Sequence, residues 1–134
     1  MISPTTHARR TILAALKADA TVTGFIPAAR IYPPKTPNGP TKPFSRYGAS
    51  FAEPARASCW SGGGVRGTVH VFVGQSGTIL DPEAFTGDAV DAMAEAIDGI
   101  EDCFVERTQV FADADEPDDY HGIVFFRMDA MGQS

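Results

Sequence analysis

The chain has 134 residues and a mass of 14.3 kDa, the size of one domain. A chain of this length can bury roughly 65–70% of its extended surface, enough to fold without metals or disulfides. With 43% apolar and 21% charged residues it is neither disordered nor fibrous, and its net charge of −6 argues against a general nucleic-acid coat protein.

The charge is split along the chain. Residues 1–66 hold nine Lys/Arg and two acids; residues 67–134 hold two Lys/Arg and fifteen acids. Two readings follow. Either the halves neutralise each other inside one fold, or a basic face on one subunit meets an acidic face on the next, head to tail. No apolar run approaches the ~18 residues of a membrane span, and the first ten residues lack the apolar stretch of a secretory signal. Cys59 and Cys103 lie far apart and form no CxxC, which reads as two reduced thiols of a cytoplasmic product.

Ser3-Pro4 is an N-cap followed by proline at the first helical position. Ile12, Leu13, Leu16 and Ala20 recur at helical spacing, which predicts an amphipathic helix over 4–19. Thr21-Val22-Thr23-Gly24 should end it, and Arg30-Ile31-Tyr32 is a short strand. The stretch from Pro33 to Pro43 holds five prolines and an Asn-Gly, so it is an exposed extended loop inside the domain. Phe44–Phe51 reads as a strand with Tyr47, Ala49 and Phe51 on one face, and Ala57-Ser58-Cys59-Trp60 could extend a neighbour.

After the flexible Ser61-Gly62-Gly63-Gly64 comes the clearest strand. Val65, Gly67, Val69, Val71 and Val73 alternate with Arg66, Thr68, His70 and Phe72. The aliphatic face must be buried; the mixed face meets a partner or solvent. Asp81-Pro82 opens a second helix that Gly99 should end. Its Phe85, Ala89, Ala92, Met93, Ala96, Ile97 and Ile100 share one face, and Glu83, Asp88, Asp91, Glu95 and Asp98 the other. Strands over Cys103–Phe111 and Gly122–Met131 flank the acidic loop 113–119. Apolar residues on both faces of the last strand suggest that it is covered on both sides. The order predicts an α+β fold: one antiparallel β-sheet with two amphipathic helices packed on one face, and a single domain over 1–134.

Catalytic templates fit poorly. Gly74-Gln75-Ser76-Gly77-Thr78 has threonine where a nucleophile elbow needs its second glycine. Ser61–Gly64 lacks the Lys-Ser/Thr of a phosphate loop, and the acidic loop lacks the glycine and final carboxylate of an EF-hand. His7, His70 and His121 show no ligand spacing, so each reads as structural or exposed. No catalytic, cofactor or metal residue is assigned, and the chain reads as a protein that is not an enzyme. Trp60, beside the glycine-rich turn, is either a core plug or an interface anchor.

In layout and short signatures the chain resembles the tail-completion (tail-terminator) proteins of long-tailed phages and gene transfer agents. The carriers are Leu13-Ala14-Ala15-Leu16 followed by Asp19, then Phe25-Ile26, Arg30-Ile31-Tyr32, the proline-rich loop and Pro43-Phe44. The strand Thr68-Val69-His70-Val71-Phe72-Val73, the helix from Ala89 to Ile100 and His121-Gly122 complete the pattern over roughly residues 8–130. The family's usual tyrosine is Phe44 here, and the strand that often ends in a tryptophan-serine pair ends in Val73-Gly74.

The resemblance implies a six-membered ring on the head-proximal end of the tail tube, which stops tube growth and meets the neck. DNA would pass through its channel without specific binding. The implied partners are copies of the chain, the tail tube protein and a neck or stopper protein, with no membrane and no cofactor. The implied location is the virion or a phage-like particle, assembled in the bacterial cytoplasm. Candidate interface residues are Pro33, Pro34, Lys35, Pro37 and Lys42 of the loop, with Phe44, Trp60 and Arg66. The rival reading is another neck component, adaptor or stopper; a small cytoplasmic enzyme or ligand-binding domain is the third.

Overall fold

The structure is a computed structural model that describes residues 3–53, 64–114 and 118–129. Helix α1 (Pro4–Ala18) starts as its sequence dictates. The Ser3 hydroxyl accepts from the Thr6 N–H at 3.2 Å, and Pro4 takes a first-turn position where an N–H would have no partner. Ala8, Ile12 and Leu16 form its buried stripe.

The next residues differ from expectation. Thr21–Gly24 does not end helical structure. Asp19 adopts an extended conformation, and its carboxylate accepts from the Val22 N–H at 3.0 Å, capping a second helix, α2 (Ala20–Phe25). The cap and the burial of Val22 outweigh the poor propensity of Thr21 and Gly24. The described residues therefore form three α-helices rather than two. Arg30 closes a 3-10 turn over Ala28–Arg30, so strand β1 is only Ile31–Tyr32.

The remaining elements are β2 (Phe44–Glu53), β3 (Gly64–Val73), α3 (Pro82–Asp98), β4 (Cys103–Ala112) and β5 (Tyr120–Asp129). They build a five-stranded sheet of order β1-β2-β3-β5-β4. The α+β class stands, and the antiparallel expectation fails at one place: β1 pairs with β2 in parallel. The long proline-rich loop explains it, because a parallel neighbour needs a connection that runs back along the sheet.

Helices α1 and α3 both pack on one sheet face. Under them lie Val65, Val69, Val71 and Val73 of β3, Val124 and Phe126 of β5, and Tyr47 of β2, all at most 1% exposed. Each such valine contributes roughly 1.5–3 kcal/mol by leaving water. Asp81 caps α3 through the Ala84 N–H at 3.1 Å, and Gly99 ends it.

Two further expectations are corrected. A bulge between Tyr47 and Ser50 breaks the alternation of β2, so Tyr47 is buried while Ala49 is exposed and Phe51 is 57% exposed. Strand β5 is covered by helix on one side only. Its Ile123, Phe125 and Arg127 are half-buried among side chains of neighbouring strands.

Gly122 sets how closely α3 approaches the sheet. A Cβ there would lie 2.4 Å from the Val90 Cγ2 and 2.9 Å from the Thr86 Cγ2. Gly122→Ala should lower stability by roughly 1–3 kcal/mol through overpacking, read as a lower urea midpoint. An unchanged midpoint would mean that α3 shifts freely.

Candidate protein-interaction face

The second face of the sheet carries no helix among the described residues. In one register line, Phe44 of β2 stands opposite Phe72 of β3, Phe72 opposite His121 of β5, and His121 opposite Phe111 of β4. Tyr32 of β1, opposite Arg46 in register, reaches Phe44 diagonally and extends the row of rings. Ring centroids are 6.0 Å apart for Tyr32–Phe44, 4.8 Å for Phe44–Phe72, 4.4 Å for Phe72–His121 and 4.8 Å for His121–Phe111. Each of the five strands supplies one ring to this row. Such pairs add to the area they bury, because their offset and tilted contacts suit the ring quadrupole.

Arginines lie over rings on the same face. The Arg46 guanidinium sits 5.6 Å from the centre of Phe72, Arg127 4.9 Å from Phe104, and Arg107 4.1 Å from Phe125. Arg66 reaches Glu106 at 3.4 Å, and Arg127 reaches Asp129 at 3.2 Å. Between Phe51 and Arg107 runs an open groove of about 470 Å³, floored by Gly67 and Thr68 and walled by Arg66 and Phe125. Gly67 faces the covered side of the sheet, where a Cβ would lie 2.9 Å from the Phe126 ring and 3.0 Å from Ser50. Phe51, Phe104 (44% exposed) and Phe111 (36% exposed) remain partly in water. Rings and arginines together, with few lysines, are the composition of a protein-contact surface.

A histidine pair sits at the middle of this face. His70 Nδ1 and His121 Nε2 are 2.8 Å apart, and His70 Nε2 is 3.0 Å from the Thr68 hydroxyl. Either polarity of this chain satisfies both bonds with neutral rings. Burial pushes the His70 pKa down to about 4, helped by His121 and Arg46. Burial also lowers His121, with Asp113 opposing and Arg46 reinforcing. Sequence reasoning treated these histidines singly, because they are 51 positions apart and only the β3–β5 register brings them together.

The candidate residues of the sequence fall in three places. Phe44 and Arg66 are on this face, Phe44 almost covered by Tyr32 and Phe72 at 8% exposure. Pro33, Pro34, Lys35 and Pro37 are exposed on the loop at the β1 edge. Lys42 is half-buried and ion-paired with Asp119, which fastens the end of that loop to the start of β5. Trp60 lies outside the described residues. The sequence reading placed Phe72 on the mixed face of β3 and missed Phe51, Phe104, Arg107 and Phe111. The alternation of β4 was the available signal for Phe104 and Phe111, while the bulge in β2 hid Phe51. Cys103 is a free, buried thiol whose pKa burial raises to about 11, with Asp102 and other carboxylates adding to it.

An α+β subunit with one sheet face sealed by helices and the other dressed with rings and guanidinium groups belongs to the class that works through contact with other proteins. The comparisons name that class more closely. Residues 10–128 match the family described as tail completion protein gp17, and the chain belongs to it; this is a family of structural phage tail proteins, located in the virion. The chain is also similar in fold to one from the virion of a native gene transfer agent particle. The TM-score is 0.76 and the identity 17%, with 98% of this chain and 100% of that chain covered. No curated protein matches.

The histidine pair makes stability depend on pH. A histidine whose pKa is lower folded than unfolded binds fewer protons in the folded state between the two values. Stability contributed by neutral His70 is thus whole above its ordinary value of 6.5 and falls as the pH drops toward about 4. The urea midpoint should fall over this window, and His70→Gln should flatten that fall. A His70 NMR titration centred near 6.5 would contradict the arrangement.

Proposed function

We propose that the chain is the subunit of a ring, six-membered as the family resemblance implies, that caps the head-proximal end of the tail tube. The ring covers the surface to which further tube subunits would add and offers a different surface to the neck. The tube protein and a neck or stopper protein are its partners above and below, and DNA passes through the central opening. The role requires no covalent chemistry. The observation that carries this reading is the second sheet face, a row of rings and ring-bound arginines with no helix over it among the described residues. It supports a protein completed by neighbours.

The mixed helix and sheet content supports a terminator over a barrel-like stopper or a helical adaptor. The match to a chain of a gene transfer agent virion supports a place in a tailed particle. The exposed loop over 33–43 is a second contact, suited to reach a partner because its prolines restrict its backbone and Lys42 fastens its base.

Two measurements test this. Particles made without the chain should carry tubes of irregular length and heads without tails, seen by negative-stain imaging; uniform tubes fastened to full heads would refute the capping role. Deleting residues 35–41 should leave the circular dichroism spectrum and urea midpoint within experimental error of wild type. It should weaken docking to tube or neck at least tenfold; normal docking would remove the loop from the contact.

A further inference from the structure

We infer that the bare sheet face is occupied by helix α3 of a second copy of this chain, front to back. The inference rests on the ring reading above and names the contact within it.

The fold puts ring-bound arginines on one side of the molecule and an acidic helix on the other. Arg46 and Arg107 lie on the open face, each over a ring, and have no carboxylate partner among the described residues. The opposite side of the molecule carries α3. Its Asp88, Asp91, Glu95 and Asp98 fall within one narrow arc of the helix, all exposed, and α3 contains no Lys or Arg. Ala84 continues the same arc. A stripe of short side chains and carboxylates allows a helix to lie close on a flat sheet.

The dimensions agree. Arg46 on β2 and Arg107 on β4 are three interstrand steps apart, about 14 Å at ~4.8 Å per step. Their levels differ by two residues along the strands, about 7 Å at ~3.3 Å per residue, so they stand about 16 Å apart. Ten residues separate Asp88 from Asp98, about 15 Å at ~1.5 Å per residue. Asp98 already accepts from the Val105 N–H at 2.8 Å, so it bounds the stripe at the β4 end.

The basic side of α1, with Arg10 and Lys17 exposed, is the other surface that could attract α3. It lacks rings, and ion pairs between exposed side chains contribute little alone. The open face offers opposite charge together with Phe51, Phe104 and Phe111 to remove from water. Front and back belong to the same molecule, so the contact is heterologous and propagates from copy to copy. That is the symmetry of a ring rather than of a two-fold pair.

The test uses two charge-reversed full-length chains. The front variant is Arg46→Glu with Arg107→Glu; the back variant is Asp88→Arg, Asp91→Arg and Glu95→Arg. Circular dichroism confirms that each is folded. Wild type should self-associate in sedimentation at high concentration, and more weakly at raised salt. Each variant alone should associate at least tenfold more weakly. An equimolar mixture should recover association, because the acidic front of one now meets the basic back of the other.

Wild-type behaviour of both variants alone overturns the contact, as does a mixture that stays dissociated. Loss of association on Arg10→Glu with Lys17→Glu, but not in the front variant, moves the partner of α3 to α1 and also overturns it. So does a wild type that stays monomeric while the front variant loses binding to the tail tube, because the face then belongs to another protein. The capping role is judged separately, by tail length and head attachment in particles lacking the chain. Either claim can therefore fail while the other stands.

Discussion

The valines of β3 pressed beneath α1 and α3 form the contact on which the rest of the molecule depends. β3 is the central strand, paired with β2 on one side and β5 on the other, and its aliphatic side chains are fully buried. Both long helices lie over that one face, and the close approach at Gly122 locks α3 against β5. The two long helices among the described residues seal one sheet face.

A sheet face left to water would ordinarily be polar. Here it is organised differently. One ring from each strand forms a continuous row, and three guanidinium groups lie on rings instead of extending into solvent. Arginine suits this better than lysine, since its planar, weakly hydrated group stacks on an aromatic face while keeping its charge. The His70–His121 bond holds the row between β3 and β5 with no net charge. The result is a pre-ordered surface. A partner meeting it need not immobilise many long side chains, which lowers the entropic cost of docking.

Much of the covered half was legible in the amino-acid sequence. Ser3-Pro4, Asp81-Pro82 and Gly99 mark helix ends by local hydrogen bonding, and the structure uses all of them. The alternation of Val65 to Val73 told which side of β3 is buried. The readings that failed are those where a local pattern met a competitor from elsewhere. Asp19 restarted a helix across a poor sequence, a bulge turned Phe51 outward, and the proline loop brought β1 in parallel.

Of the bare face, Phe44 and Arg66 were picked from the sequence, while the histidine pair and the ring row were not. Their members come from positions 32 to 121, and no spacing rule links residues joined only by strand register. The sequence by itself determined the two long helices, the buried side of β3 and the split in charge, because these depend on neighbours a few residues away. Tertiary structure alone decided that the acidic helix and the arginine-bearing face end on opposite sides of one molecule. That outcome depends on strand order, which short-range chemistry does not encode.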